Sequence, residues 1–488
     1  MYKFIRYVMI LLSVWLGTLG LFTNNHNTIL CAILGLFIHN VVYSFEVIEK
    51  RIYFLIMHVT IFVFLLSRPV ISMAKGEIWW QKYGEEHVEF ALTVLAISLL
   101  FLVLGAFLET ARENRGEKKI YVRTKYEMAY QKNLKIISLL LFCFSSVFSL
   151  CLELEKLLFM HGRTYLEYYT SFQSQLPYGV YILSSFMPYC LCIFLATFPK
   201  KIECIGPLGI YWCLAIPQLI IGVRNPIMLR SIFIFLYFFM REAIEKKGKW
   251  IGKLEKMALA IGTPFVLCFM GIYSSIRSGD TVIRTGIGSM LVNFFYGQGV
   301  SFDVLAIGHE TIPKLPERAF RNYTFGGIID YFKFGSIGQK LWGTIPLESG
   351  NNLRNALESN SFAHNMSYIS KGQQYLDGEG WGSSYLLETY VDYGYLGVAV
   401  FSLVLGMLLV YGTSLWEKQG IKLVICLLIL MQIFFIPRDA ATEAINFIVT
   451  MQFWVAMIVC YLISGLCCKN YEKEKQGIGG KVCLNILE

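Results

Sequence analysis

Charged residues are scarce in this chain. They make up 16% of its 488 residues, against 56% apolar residues, and the mean hydropathy is +0.54. Average globular chains carry about 25% charged residues. Long stretches hold almost no charge, and the Lys and Arg residues gather in short clusters between them. This pattern excludes a soluble enzyme, a disordered chain and a collagen-like or coiled-coil rod, and it predicts a polytopic integral membrane protein.

Several site signatures are missing from the sequence. The thirteen cysteines avoid the stretch 277–384, so we expect that stretch to fold without disulfides. No Cys-x-x-Cys pair or Cys/His cluster has zinc spacing, and no phosphate-binding glycine loop occurs. We therefore expect no metal centre, no cofactor and no ATP binding. The net charge of +9 forms no contiguous basic patch, which argues against a nucleic-acid partner.

Apolar runs long enough to cross a bilayer recur along the chain. A spanning helix needs roughly 20 mostly apolar residues, and the runs do not alternate apolar and polar residues as the strands of a membrane β-barrel do. The sequence therefore predicts an all-α fold with about 12 transmembrane helices. The candidate spans are 4–22, 27–45, 52–73, 88–108, 134–152, 178–198, 205–222, 226–240, 256–276, 393–412, 421–436 and 445–466.

The distribution of Lys and Arg predicts the orientation. With both termini in the cytoplasm, the short inside segments carry 25 Lys and Arg residues and the short outside loops carry 6, as the positive-inside rule requires. The first apolar run lacks a small-residue cleavage site, so we interpret it as a retained span rather than a signal peptide.

One long segment lacks a predicted span. Between residues 277 and 384 the chain is rich in aromatic residues and carries nine basic and nine acidic residues, and the orientation places it outside the membrane. We interpret it as a compact subdomain of short helices and loops. The predicted organisation is a nine-span N-terminal bundle (1–276), this external loop (277–384) and a three-span C-terminal part with a cytoplasmic tail (385–488).

Arginines gather at the outer ends of the predicted spans. Because guanidinium groups bind phosphate oxygens in a bidentate manner, these residues are candidates for holding a phosphorylated substrate. The alternative is that each one reaches from a helix end to a lipid headgroup. The candidates are Arg68, Arg224, Arg230, Arg277 and Arg284.

A second group of polar residues lies where the predicted loop returns to the membrane. His364 precedes Asn365, and Glu388 and Asp392 are spaced i and i+4 at the start of the tenth span. The competing explanations are a surface histidine and acidic residues that complement the helix dipole.

These motifs resemble those of the Wzy-type oligosaccharide repeat-unit polymerases, which build bacterial capsular or O-antigen polysaccharide. The similarity rests on the span number, the large loop before the last spans and the Gly-x-Arg junction at Gly222-Val223-Arg224. The segments from His364-Asn365 to Gly382–Glu388 and Gly394-Tyr395-Leu396-Gly397 are also similar, and Arg277 and Gly288 have an Arg-x10-Gly spacing found in some members.

The resemblance implies a GT-C-like, metal-independent glycosyltransferase in the bacterial cytoplasmic membrane. Its donor and acceptor would be undecaprenyl-diphosphate-linked glycans, with a flippase and a chain-length regulator as partner proteins. The five arginines would bind the diphosphate. His364 is the first candidate for the base and Glu388 the second. Trp342, Trp381 and Tyr385 would stack on sugars, unless they form the core of the loop itself.

Two other functions remain open at this point. A flippase for lipid-linked oligosaccharide has a similar size, but transporters often show two related halves, and this chain has no counterpart of its loop in the first half. A ligase that moves glycan to another acceptor has the same topology as a polymerase.

The orientation generates a labelling prediction. A cysteine at Ser336 should react with a membrane-impermeant maleimide in intact cells, and a cysteine at Gly248 should not, because the first position lies outside and the second inside. The measurement uses a background in which the native cysteines are replaced. Labelling at both positions, or the reverse pattern, would contradict the orientation.

Overall fold

The described part of the protein is built from helices, with no strand among its residues. The computed structural model describes residues 1–113, 125–163, 165–245, 250–262, 286–318, 320–418 and 420–468. Ten helical stretches in these ranges are long and apolar enough to cross a membrane, and the bent pair Glu443–Val449 and Met451–Leu466 makes eleven if it is one span. The predicted all-α, polytopic membrane fold is thereby confirmed, while the count of twelve spans stays a prediction.

The N-terminal half consists mainly of long helices joined by short connections. They are α1 (Tyr2–Thr23), α2 (His26–Glu46), α3 (Ile48–Ala74, with one π-helical turn), α4 (Glu85–Glu113), α5 (Lys125–Met160), the short α6 (Tyr165–Ser171), α7 (Tyr178–Ala196), α8 (Lys201–Cys213), α9 (Ile216–Ile221), α10 (Asn225–Ile244) and α11 (Lys253–Met257). The predicted ninth span, 256–276, lies outside the described residues from position 263 onward.

The second half contains short helices followed by the last long ones. They are α12 (Ile287–Gln298), α13 (Val300–Thr311), α14 (Gly326–Phe334), α15 (Ser336–Trp342), α16 (Leu353–Glu358), α17 (Phe362–Lys371), α18 (Gln373–Leu376), α19 (Tyr385–Lys418), α20 (Ile421–Leu430) and α21 (Met451–Leu466). Two 3-10 segments, Ile433–Arg438 and Glu443–Val449, connect α20 to α21.

The structure differs from the span prediction at two places. Helices α12 and α13 together pass the length and hydropathy test over Gly288–Lys314, inside the segment predicted as a loop. Asp303 interrupts the apolar run, so the sequence alone did not indicate a span here. In the structure the Asp303 carboxylate is buried and paired with Arg68. Conversely, α10 forms as predicted but is not among the candidate spans of the described residues.

Helix α4 packs closely on α19, and two glycines make the contact possible. A Cβ atom added to Gly105 would lie 2.0 Å from the carbonyl oxygen of Leu403, and one added to Gly406 would lie 2.1 Å from that of Leu102. Real Cβ atoms do not approach backbone oxygens so closely, so only glycine fits on either side. Nearby, Ser98 of α4 is hydrogen-bonded to both Tyr385 (2.6 Å) and Ser402 (3.0 Å) of α19.

This contact generates a stability prediction. Gly105→Ala and Gly406→Ala should each lower the melting temperature of the detergent-solubilised protein, because overpacking a tight interior costs typically 1–3 kcal/mol. Gly206→Ala and Gly209→Ala on α8 are matched controls, since nothing lies within 4 Å of the added Cβ. The controls should be neutral or slightly stabilising, because alanine favours helix over glycine by about 1 kcal/mol. Equal melting temperatures for all four variants would contradict this account of the packing.

Candidate active site

A cavity of about 600 Å³ lies between helices of the N-terminal half and the last helices of the chain. Ligand pockets typically measure 300–1,000 Å³ and place a few polar groups in an apolar wall. This wall is formed by α7, α8, α9, the start of α10, α20 and the 3-10 segments before α21. Its lining residues are Met187, Pro188, Tyr189, Tyr211, Gln218, Val223, Asn225, Pro226, Leu229, Arg230, Leu428, Met431, Gln432, Phe435, Asp439, Glu443, Ala444, Asn446, Phe447 and Thr450.

A tight turn places the start of α10 at this cavity. Gly222 ends α9 with φ +114°, a conformation that L side chains rarely adopt, and Pro226 occupies the first turn of α10, where its missing N–H costs nothing. Val223 and Asn225 line the cavity, and half-buried Arg224 lies between them as the N-cap residue. The glycine of the Gly-x-Arg junction is therefore needed for the turn itself.

Arg230 contributes a positive charge to the cavity wall. Its guanidinium donates a hydrogen bond to the carbonyl oxygen of Tyr211 and lies 4.6 Å from the centre of the Tyr211 ring. On the neighbouring wall, Gln218 donates to Glu153 (2.7 Å), which also pairs with Lys156 (2.8 Å). The contacts of Arg230 hold its planar head in place while part of it stays accessible.

Two acidic residues face the same cavity from the turn before α21. Asp439 is half-buried, and Glu443 is exposed although it lies in the cavity wall. Asn446 donates a hydrogen bond to the Glu443 carboxylate (2.7 Å). Burial and the neighbouring Glu443 carboxylate, the larger effect first, raise the pKa of Asp439 to about 7.

Glu388 fixes the position of this acidic turn. Its carboxylate is fully buried and accepts hydrogen bonds from the Ser383 hydroxyl (2.7 Å) and from the backbone N–H of Ala441 (2.8 Å). The hydroxyl of Thr442 also donates to the carbonyl oxygen of Thr324 (2.7 Å). The chain segment after α13 is thus bonded directly to the turn that carries Asp439.

His364 lies in a different environment, on α17. Its Nδ1 is hydrogen-bonded to the hydroxyl of Tyr375 (2.8 Å), which itself donates to the carbonyl oxygen of Asn352 (3.2 Å). The single proton of the tyrosine hydroxyl goes to the carbonyl, so Nδ1 of His364 is the donor in the first bond and Nε2 carries the lone pair. Burial lowers the pKa of His364, which keeps the ring neutral at pH 7. His364 is not among the residues that line the cavity.

The three predicted sugar-stacking residues have separate environments. Trp342 is 65% exposed at the end of α15. Trp381 is half-buried, donates through Nε1 to Ser370 (3.0 Å) and has Lys371 4.7 Å from its ring. Tyr385 is completely buried in the α4–α19 contact, so its ring offers no face to a sugar. The structure therefore gives Tyr385 a packing role.

The predicted arginines do not form one cluster. Arg230 lines the cavity and Arg224 lies beside two of its lining residues. Arg68 is engaged elsewhere: it is paired with Asp303, donates to the carbonyl oxygen of Tyr296 (3.0 Å) and stacks on that ring at 4.5 Å. Arg277 and Arg284 lie outside the described residues.

The sequence interpretation did not select the acidic pair. A usable signal was present, because Arg438, Asp439 and Glu443 are the only charged residues between Lys422 and Lys469. Ionisable residues in such an apolar stretch are costly and mark functional sites.

Comparison with known proteins agrees with this architecture. A family model described as O-antigen polysaccharide polymerase Wzy matches residues 4–471, which is nearly the whole chain. Neither the comparison with curated proteins nor that with solved structures returned a match. A family match over this length includes the cavity, the acidic turn and the helices around them. The chain therefore belongs to the O-antigen polysaccharide polymerase Wzy family.

Proposed function

We propose that this polymerase joins oligosaccharide repeat units carried on undecaprenyl diphosphate, at the outer leaflet of the bacterial cytoplasmic membrane. Both termini are cytoplasmic in this proposal, as the distribution of Lys and Arg indicates. The observation that supports it best is the cavity whose wall combines Arg230 with the carboxyl groups of Asp439 and Glu443. A positive group for a phosphate and acidic groups for sugar hydroxyls are what glycosyl transfer from a lipid diphosphate requires.

The diphosphate is the leaving group and needs positive charge. Arg230 supplies a guanidinium fork in the cavity wall, and Arg224 lies one turn and a half earlier, at the N-cap of α10. The N-terminus of a helix carries partial positive charge and free backbone N–H groups, which favour phosphate. Preorganised donors of this kind stabilise the departing anion without a metal ion. Arg277 and Arg284 keep their proposed place at this site from sequence alone.

The loop helices supply the contacts to sugar in this proposal. Trp381 and Trp342 each have ring surface available for stacking, whereas Tyr385 does not. His364 presents a neutral ring whose Nε2 can accept a proton, or a hydrogen bond from a sugar hydroxyl. A flippase and a chain-length regulator remain the proposed partner proteins.

A deletion strain separates this function from its alternatives. Loss of a polymerase should leave surface polysaccharide of single repeat units, because export and ligation continue while elongation stops. Loss of a flippase should leave none at the surface, and loss of a ligase should leave polymer on the lipid carrier. The measurement is a gel of surface polysaccharide. An unchanged ladder of chain lengths would contradict the proposal.

Substitution of Arg230 tests the diphosphate site. Arg230→Lys keeps the charge but loses the planar fork. Since a hydrogen bond to a charged group contributes about 1.5–3 kcal/mol, polymerisation should fall roughly 10- to 100-fold. The measurement is the rate of chain extension by the purified protein on lipid-linked repeat units.

Arg112→Lys is the matched control, because its side chain is 71% exposed at the end of α4. Its rate should equal that of the wild type. Excess chelator should also leave the wild-type rate unchanged, since arginine rather than a divalent cation neutralises the leaving group. A wild-type rate for Arg230→Lys would exclude Arg230 from the site.

A further inference from the structure

The cavity wall contains two carboxyl groups, those of Asp439 and Glu443. Asp439 and Glu443 are four residues apart and both line the wall that contains Arg230. Asp439 follows the 3-10 segment Ile433–Arg438, and Glu443 begins the next one. Besides burial, the Glu443 carboxylate raises the pKa of Asp439, so the two groups are near enough to interact.

We propose that Asp439 is the catalytic base of this polymerase, which takes the proton from the attacking hydroxyl of the acceptor sugar. The proposal deepens the function given above and rests on it. Glu443 acts as a positioning residue, because its charge controls the ionisation of Asp439.

The contacts of the other acidic and basic candidates favour this choice. Both carboxylate oxygens of Glu388 are engaged, one by Ser383 and one by the N–H of Ala441, so Glu388 holds the turn. His364 does not line the cavity. Asp439 does, and its Oδ1 accepts a hydrogen bond from the neighbouring backbone N–H of Ala440 (2.9 Å).

The surroundings of Asp439 suit a base at neutral pH. Burial and the Glu443 carboxylate raise its pKa to about 7, while Arg438 opposes the shift. Glu388 is the other acid near the turn, and Arg230 is the basic residue in the cavity wall. A base works best when its pKa lies near the operating pH, because it is then largely ionised and still accepts a proton readily.

The acceptor hydroxyl gives its proton to the Asp439 carboxylate, and its oxygen forms a bond to the anomeric carbon of the donor glycan. The bond between that carbon and the diphosphate oxygen breaks, and the diphosphate leaves with the electron pair. Asp439 then releases the proton to water before the next cycle.

The test is the pH dependence of chain extension by the purified, lipid-embedded protein. In the wild type, kcat/KM should rise with pH through an apparent pKa near 7, because the rate follows the ionised base. Asp439→Asn should lower kcat/KM by roughly 10²- to 10⁴-fold. It should also abolish the rise of kcat/KM with pH (the rising limb of the pH profile), while the lipid-linked donor still binds. Asp377→Asn, an exposed loop position, is the matched control and should behave as the wild type.

Glu443→Gln provides a second, independent readout. Removing the neighbouring negative charge lowers the pKa of Asp439, so the rising limb should move to lower pH. A structural role for Glu443 would lower the rate without moving the limb. The inference is overturned if the limb stays in place in Glu443→Gln, or if Asp439→Asn extends chains at the wild-type rate.

His364→Ala separates the two candidate bases. It should keep the limb near pH 7 if Asp439 is the base, and loss of the limb in His364→Ala alone would assign the role to His364 instead. If the wild type itself extends no lipid-linked chain, the proposed function fails and this inference fails with it. Extension by the wild type together with a fully active Asp439→Asn would refute Asp439 while leaving the polymerase function intact.

Discussion

A charge that leaves water for the interior of a membrane protein needs a partner, and this requirement organises the described structure. An unpaired charge in hydrocarbon costs several kcal/mol, even on the most lenient scales about 2.5–3.5 kcal/mol. Asp303 is therefore paired with Arg68, and Glu388 accepts hydrogen bonds with both oxygens. Arg230 is held by the carbonyl oxygen and ring of Tyr211. These pairings stabilise the packing of helices that are distant in sequence.

The acidic residues of the cavity wall have a different environment. Asp439 is half-buried and has a second acid, Glu443, beside it; burial and this acid raise the pKa of Asp439, while Arg438 lowers it. The fully paired Glu388 lies directly behind them and keeps the turn in position through the N–H of Ala441. The protein thus places a fully hydrogen-bonded carboxylate beside the proposed base.

Sequence alone predicted most of the fold, because the length of an apolar run decides whether a helix can span a bilayer. It did not identify Gly288–Lys314 as a candidate span, because Asp303 interrupts the apolar run and its pairing with Arg68 is visible only in the structure. Arg230 was predicted as a site residue and does line the cavity. The acidic pair was missed because its place in the wall that contains Arg230 depends on tertiary packing of α20 and α21 against α7. Tyr385 was misjudged for the same reason, since only its burial against Ser98 reveals its role.

The glycine contact between α4 and α19 has a consequence for biogenesis. Helix α4 ends at Glu113 and α19 begins at Tyr385, so the ribosome must add a long stretch of chain before the two can meet. At about 5–20 residues per second, α4 waits in the membrane for roughly 15–60 s without its partner. During that time the surface around Gly105 and the hydroxyl of Ser98 face lipid or other nascent helices. The assembling chain therefore passes through an intermediate in which α4 is inserted but its close contact with α19 has not yet formed.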